Sequence, residues 1–307
     1  MSWELLLVQA LNGFQFGVML FLMAAGLTLV FGIMNLVNLA HGSLYMMGAY
    51  FAATFQAWTG SWVAGVALAL PASFALGLAI DRVALRTLYD RDHLDQVLAT
   101  FGLILFFNEL ARIVWGASPF HMKTPSWLDG HVEIVAGIPY PLYRLAIIGV
   151  GIAVATLLFL VISRTRLGML IRASASNGEM AGALGVDTKI LFTFVFGLGA
   201  VFAGVAGLMV GPVSAILPGM GEPILILTFV VIVIGGIGSI RGAFVAAVLI
   251  GIVDTTGRVF LRTAFKRFLV PEIADTLGPA VASMLIYILM AAILFFRPAG
   301  LFPARKG

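Results

Sequence analysis

The stretch that decides the fold class runs from residue 17 to residue 42 and reads GVMLFLMAAGLTLVFGIMNLVNLAHG. It begins as an unbroken apolar run, into which two amides, Asn35 and Asn38, and an imidazole, His41, then enter. About 20 apolar residues suffice to cross the roughly 30 Å hydrocarbon core of a bilayer. Polar groups at membrane depth need partners and tend to line cavities or broken helices. The stretch therefore predicts a membrane-spanning helix followed by an interruption.

Composition extends this prediction to the whole chain. Of its 307 residues, 61% are hydrophobic and 10% are charged, whereas a soluble domain carries about 25% charged residues. We therefore predict an all-α fold: a polytopic helical membrane protein with about 8–9 transmembrane helices, one or two broken or re-entrant segments and a cytoplasmic coupling helix. Residues 1–307 are expected to form a single transmembrane domain. The expected spans are roughly 6–30, 39–58, 62–80, 95–115, 144–162, 190–211, 223–239, 242–257 and 277–296.

Charge gives the orientation of the first spans. The net charge of +4 reflects Lys and Arg in cytoplasmic loops, so we expect no nucleic-acid partner. Basic residues place the loops at 81–93 and 163–189 inside, and the aromatic-rich loop at 116–143 outside. The N-terminus has no basic region or obvious cleavage site, so its apolar run is expected to be a retained helix.

The orientation of the last third stays open. If the run at 223–239 crosses fully, the basic cluster between Arg258 and Arg267 is outside and the C-terminus is inside. If the run dips in and returns, the two basic ends exchange sides. We favour the full crossing, which gives nine spans with the N-terminus outside.

A second interruption lies at about residues 232–243. Residues 234–242 read IGGIGSIRG, and four glycines break the helical pattern. At an offset of 200 residues, Thr28 meets Thr228 and Gly42 meets Gly242. Transporters built from internal repeats often place interrupted helices at corresponding positions of their two halves. The alternative is chance identity in a chain of biased composition.

The segment at about 164–189 is too polar to span a membrane, yet it is patterned. Leu167, Leu170 and Ile171 share one helical face, and a second short amphipathic run continues through Ala181. This pattern predicts a short lever on the cytoplasmic surface that fits a groove on another protein. A helix lying on the bilayer is the alternative, but such helices usually carry more basic and aromatic anchors. The residues expected to carry coupling are Gly168, Arg172, Ala173, Asn177, Glu179, Ala181 and Gly185.

Several motifs together resemble one family. Gly26–Tyr50 closely resembles the opening of LivH-type permeases of branched-chain amino acid ATP-binding cassette (ABC) importers. Gly168–Gly185, Gly235–Ala243 and the ending Phe296–Phe302 are similar to later parts of the same proteins, in the expected order. The resemblance runs from about residue 10 to the C-terminus, and the combination of motifs is specific to the family.

The resemblance implies a permease subunit that moves branched-chain or related hydrophobic amino acids across the bacterial inner membrane. It implies as partners a second, LivM-like permease subunit or another copy of this chain, two cytoplasmic ATPase subunits, a periplasmic solute-binding protein and membrane lipid. ATP and Mg²⁺ are expected in the ATPase subunits, so this chain needs no cofactor. It has no G-x-x-x-x-G-K-[ST] phosphate loop. Relatives that carry urea, short amides or other amino acids keep the substrate open.

The candidates for the translocation path are polar residues or glycines at the two interruptions, and one acid inside a span. His41 can contact solute or hydrogen-bond a neighbouring carbonyl, and Asn35 and Asn38 can face the path or cap the next helix. Glu109 can serve transport or pair with Arg112 at i+3. The full set is Asn35, Asn38, His41, Gly42, Glu109, Thr228, Gly235 and Gly236.

Rival functions fit less well. An ion-coupled secondary transporter usually needs several acids or histidines at membrane depth, whereas this chain offers chiefly Glu109. A channel does not explain the patterned segment at 166–187. A membrane-embedded enzyme lacks a nucleophile with a base, an acid pair or clustered histidines. Zero cysteines and four separated histidines exclude the usual metal sites. We therefore expect a transport subunit, not an enzyme.

Overall fold

A computed structural model describes residues 3–34, 36–89, 91–135 and 137–302. These residues form eleven α-helices, two 3₁₀-helices (Leu85–Leu88 and Ser126–Leu128) and an antiparallel pair of strands. The predicted all-α membrane fold is thereby confirmed. The α-helices are α1 (Trp3–Met34), α2 (His41–Thr59), α3 (Trp62–Val83), α4 (His93–Trp115), α5 (Leu142–Arg164), α6 (Arg166–Ser176), α7 (Gly178–Ala183), α8 (Thr188–Val210), α9 (Gly221–Gly235), α10 (Ile240–Phe265) and α11 (Pro271–Phe296).

Seven of these helices are long and apolar enough to cross a membrane: α1, α3, α4, α5, α8, α10 and α11. Each of the nine expected spans corresponds to a helix, and α2 and α9 account for the other two. α9 has 15 residues, or about 22 Å at 1.5 Å per residue. That is shorter than the hydrocarbon core. The full crossing at this place stays a prediction.

The chain divides into two compact units. The first unit comprises described residues within 1–24, 126–153 and 228–304, and the second comprises those within 25–125 and 154–227. The second unit is built on α2, α3 and α8, which pack through small residues. A Cβ on Gly48 would lie 2.3 Å from Cα of Gly204, and one on Gly207 would lie 1.9 Å from the carbonyl oxygen of Tyr45. Such close backbone approach is how helices associate in lipid.

The first unit uses the same device between α1 and α10. A Cβ on Gly13 would lie 2.7 Å from Cα of Ile252, and one on Gly17 would lie 2.7 Å from the carbonyl oxygen of Ala247. Within this unit, α10 and α11 are also joined by a polar seam. Asp275 accepts from Arg262 at 2.5 Å and from Lys266 at 2.9 Å.

The loop at 116–143 is more ordered than the sequence indicates. His131–Val135 pairs with Ile138–Pro141 as an antiparallel hairpin, β1 and β2. The buried hydroxyl of Tyr140 donates to Oδ1 of Asn12 at 3.2 Å, and Arg144 donates to the same atom at 2.5 Å. Burial raises the pKa of Tyr140 above its usual value, so the phenol stays a donor. The hairpin is thereby fastened to the start of α1.

Candidate coupling surface and transport residues

The predicted coupling segment is a chain of capped turns. Oγ1 of Thr165 accepts from the backbone N–H of Gly168 at 3.1 Å and begins α6. Oδ1 of Asn177 accepts from Met180 N–H at 2.9 Å, so this one residue ends α6 and begins α7. Each such cap satisfies a backbone donor that a helix start leaves open. The segment is consequently two short helices with a defined bend.

The face that this segment buries follows the helical period. Gly168, Ile171 and Ser174 are buried on α6, and Ala181 is buried on α7. A Cβ on Gly168 would lie 2.2 Å from the carbonyl oxygen of Ile162, so only glycine lets α6 fold back against the end of α5. The exposed members of the predicted coupling set are Arg172, Ala173, Asn177, Glu179 and Gly185.

The outer face of the segment carries apolar side chains without cover. Met169 and Met180 are exposed, and Leu184 is 79% exposed. Gly185 takes a φ of +90°, which turns the chain towards α8. A cleft of about 460 Å³ is lined by Leu167, Leu170, Val186, Ile190 and other residues of α6 and early α8. These exposed apolar groups beside a cleft make the segment a candidate surface for binding a partner.

The first interruption lies between α1 and α2. Asn35 is outside the described residues. Asn38 is 0% exposed, and among the described residues neither amide atom has a hydrogen-bond partner. α2 begins after Ala40 without a side-chain cap, so Asn38 does not act as a cap. A buried amide without partners is costly, and in a native protein it calls for a functional or solvent explanation.

His41 and Gly42 start α2 in a crowded place. His41 is fully buried, and a Cβ on Gly26 would lie 2.9 Å from its Nε2. A Cβ on Gly42 would lie 2.6 Å from the carbonyl oxygen of Gly221, so α2 meets the start of α9 backbone to backbone. Gly26 therefore leaves room for the imidazole of His41, and Gly42 leaves room for the contact between α2 and α9.

Glu109 pairs with Arg112, as one of its two interpretations predicts. The two side chains are 2.9 Å apart and 62% and 56% exposed. Its neighbour Asn108 makes a contact that the sequence does not indicate, donating to Oε1 of Glu222 at 2.6 Å. Asn108, Glu222 and Gly42 line a crevice too narrow for a water molecule. The sequence signal that could have indicated Glu222 is its place at the start of an apolar run, with glycine before it and proline after it.

The second interruption is a tight glycine turn. Gly236 and Gly238 have φ of +100° and +81°, and Gly235 at the end of α9 lies against Gly242 of α10. Gly238 therefore has its role in the backbone of the turn, where its positive φ favours glycine. Thr228 is fully buried, seven residues before Gly235 on α9. Thr228 and Gly235 therefore lie on α9, and Gly236 follows them in the turn.

The tail beyond α11 completes this turn. The N–H of Leu301 donates to the carbonyl of Ile234 at 2.8 Å, and that of Phe302 donates to Gly235 at 3.0 Å. Both carbonyls are in the last turn of α9, where a helix leaves its acceptors unpaired. The ending Phe296–Phe302 therefore has a structural role at the second interruption.

A buried acid near the coupling segment was not anticipated. Asp81 in the last turn of α3 is 0% exposed and accepts from Oγ1 of Thr193 on α8 at 2.6 Å. It also accepts from the hydroxyl of Tyr89. Burial, together with Asp81, raises the pKa of Tyr89, so the phenol remains the donor. The contacts fasten the basic loop after α3 to α8.

Among the described ranges, no group of three or more His, Asp or Glu side chains is placed to hold a metal ion. The geometry is that of a polytopic helical membrane protein with two interruptions between apolar helices and a pair of short capped helices, α6 and α7. A family model described as "Branched-chain amino acid transport system / permease component" matches residues 9–294. The chain belongs to this family, and the predicted resemblance is confirmed.

Named relatives agree with this membership. The chain is 29% identical to the high-affinity branched-chain amino acid transport system permease protein BraD of Pseudomonas aeruginosa, over 96% of this chain and 95% of the relative. It is 29% identical to the corresponding protein LivH of Escherichia coli K12, over 85% and 88%. A probable LivH of Methanocaldococcus jannaschii is also 29% identical, over 80% and 79%. No solved structure matches the chain.

Proposed function

We propose that this chain is the permease subunit of an ABC importer and translocates branched-chain or related hydrophobic amino acids. The support is the family match over residues 9–294 and relatives that are named as branched-chain amino acid permeases. Import of urea, short amides or other amino acids by the same machinery is the second candidate. The whole chain serves as one permease domain in the bacterial inner membrane.

The observation that carries the coupling role is the exposed apolar face of α6 and α7. Met169 on α6, Met180 on α7 and Leu184 just after α7 are exposed, whereas the opposite faces of the two short helices are buried. A surface of this kind gains free energy when a partner covers it. The caps at Thr165 and Asn177 stabilise the starts of both helices. In this proposal, a cytoplasmic ATPase subunit covers the face and moves it.

The partners follow from the same role. Two ATPase subunits supply ATP hydrolysis with their own ATP and Mg²⁺, and a second permease, LivM-like or identical to this chain, completes the path. A periplasmic solute-binding protein delivers the substrate. Closure of the ATPase pair moves α6 and α7, and the helices around the path then expose it to one side and the other in turn.

Asn38 is the residue with the best structural support for a place in the path. Its amide donates to nothing and accepts nothing within the described residues, so it is available to a passing polar group or to a second conformation. His41, Gly42 and Glu109 are proposed with it, and the Asn108–Glu222 pair joins them. Thr228, Gly235 and Gly236 complete the proposed set. A weak, mostly apolar path suits a hydrophobic amino acid because it allows release.

The test is to purify the chain with its companion permease, ATPases and binding protein, reconstitute them, and measure ATP hydrolysis with leucine-loaded binding protein. The wild-type assembly should hydrolyse ATP faster with loaded than with empty binding protein. Leu184→Asp should reduce this stimulation at least about tenfold, because a charge would be buried in the contact.

The matched control is Phe268→Asp, an equally exposed apolar side chain on the turn between α10 and α11. This variant should still co-purify with the ATPases. The proposal is wrong if the wild-type chain does not co-purify with an ATPase, or if both variants keep full stimulation. Stimulation by urea-loaded and not by leucine-loaded binding protein would select the second candidate substrate.

A further inference from the structure

A groove outside the proposed path lies between the ends of α3 and α8. It encloses about 200 Å³ and is lined by two kinds of side chain. Arg82, Arg86 and Lys189 form one end, and Phe74, Leu78 and Phe194 are among the apolar residues of the other. The groove thus has a cationic end and an apolar end.

The three cations are exposed, and none of them forms an ion pair with a carboxylate of the described residues. The four ion pairs of the described ranges involve other side chains. Asp81, the acid next to Arg82, is buried and its oxygens accept from Thr193 and Tyr89. The positive charge at the end of the groove is therefore not neutralised from within the described part of the chain.

The apolar end extends along two membrane-spanning helices. Leu78 and Phe74 precede Arg82 by four and eight residues, which is about 6 Å and 12 Å along α3. Phe74 packs edge to face on Phe194, with ring centroids 5.7 Å apart. A Cβ on Gly197 would lie 2.6 Å from the Phe74 ring, so only glycine at this position leaves room for the ring. Because α3 and α8 are both long and apolar enough to span a membrane, lipid acyl chains can reach this end of the groove.

We propose that this groove binds one anionic phospholipid, with the headgroup phosphate on Arg82, Arg86 and Lys189 and an acyl chain against Phe74, Leu78 and Phe194. Basic pockets between transmembrane helices are a recognised way to hold anionic headgroups. Asp81 on α3 already accepts a hydrogen bond from Thr193 on α8, so a bound lipid would add a second link between the end of α3 and the start of α8.

The test uses the full-length chain in detergent, titrated with dioleoylphosphatidylglycerol or dioleoylphosphatidylcholine and read by native mass spectrometry. The wild-type chain should retain one phosphatidylglycerol in preference to phosphatidylcholine. Arg82→Gln/Arg86→Gln/Lys189→Gln should weaken phosphatidylglycerol binding on the order of 100-fold, since each cation near a membrane surface contributes about fivefold. Leu78→Trp should also weaken it, because the indole fills the acyl seat while the cations remain.

A matched control removes the same charge elsewhere: Arg91→Gln/Arg267→Gln/Arg297→Gln, three exposed arginines that do not line the groove. It should bind within about twofold of wild type. Equal weakening by the control would overturn the proposal, as would competition by glycerol phosphate at the lipid's own concentration. A groove variant that keeps the lipid but no longer co-purifies with the ATPase would assign the cations to protein docking instead.

Discussion

Two interruptions of apolar helices share a geometry and differ in how they are stabilised. α2 starts after residues 36–40 and α10 starts after residues 236–239. In each first turn a glycine lies against the backbone of another glycine: a Cβ on Gly42 would be 2.6 Å from the Gly221 oxygen, and one on Gly242 would be 2.0 Å from the Gly235 oxygen. Gly42 and Gly242, which the offset of 200 residues aligns, thus both lie against a glycine of another helix, at non-equivalent positions, and the internal repeat stays a prediction.

At the second interruption a side-chain cap and the tail supply hydrogen bonds, whereas among the described residues the first interruption has neither. At the second, Oγ of Ser239 accepts from Gly242 N–H at 3.1 Å, and the C-terminal tail occupies the carbonyls at the end of α9. At the first, α2 has no side-chain cap, and the buried amide of Asn38 has no hydrogen-bond partner among the described residues.

The difference separates architecture from function. The hydrogen bonds to Ser239 and from the tail stabilise the second break in its observed conformation. A break that keeps an unpaired amide in an apolar environment costs stability, and such a cost persists in native proteins mainly where function requires it. Asn38 at the first break is therefore the stronger candidate for the proposed path, whereas the contacts of Gly235 and Gly236 also give the second break a structural role.

The largest expected effect is at the second interruption, between α9 and α10. Gly242→Val would place a branched side chain where a single Cβ already lies 2.0 Å from a backbone oxygen. We expect a loss of about 3 kcal/mol or more, enough to abolish accumulation of folded chain. The measurement is the yield and melting temperature of the protein after extraction from the membrane.

Gly102→Val is the control for this substitution. It lies in a spanning helix with nothing within 4 Å of its added Cβ, so the change should stay within about 0.5 kcal/mol. If the two variants accumulate equally, the close contact between Gly235 and Gly242 is not required for folding.

The next largest effect is expected at the first interruption, between α1 and α2. There a substitution should leave stability equal or higher while it lowers transport. Asn38→Leu removes a buried amide that has no partner, so thermal stability should stay or rise by about 1 kcal/mol. Uptake of labelled leucine should fall at least about tenfold if the amide serves the solute. Melting temperature and uptake are measured on the same preparation.

Thr28→Val is the matched comparison, because Thr28 is also buried with no partner for its hydroxyl within the described residues, but lies within regular α1. It should leave uptake nearly unchanged. Equal losses in both variants would mean that uptake responds to general packing and not to the amide of Asn38.

The smallest effect is expected at the cap of α10, which distinguishes the start of this helix from the uncapped start of α2. Ser239→Ala removes the cap of α10 and should cost about 1 kcal/mol. Ser239→Asn supplies another side-chain oxygen and should restore the melting temperature. Transport per folded molecule should be the same in all three proteins. A change in transport that the Asn variant does not repair would give the second break a functional role as well.

The sequence by itself determined the class of protein, the order of the helices and the position of the two short helices between α5 and α8. Hydropathy, helix period and capping are properties of contiguous residues, so they can be read locally. Thus the amides at 35 and 38 announced the first break, and the polar pattern between 164 and 189 announced α6 and α7. Asn177 appeared in the sequence only as part of a coupling set, and the structure shows it joining the two helices.

Only the tertiary structure decided which distant residues meet. Nothing near Asp81 indicates Thr193 as its partner, and nothing near Asn108 indicates Glu222, since these pairs are separated by 112 and 114 residues. The hairpin at 131–141 was missed because its prolines and short strands look like a loop. The contrast between the two breaks was likewise invisible in the sequence, because whether a polar group is paired depends on what the fold brings beside it.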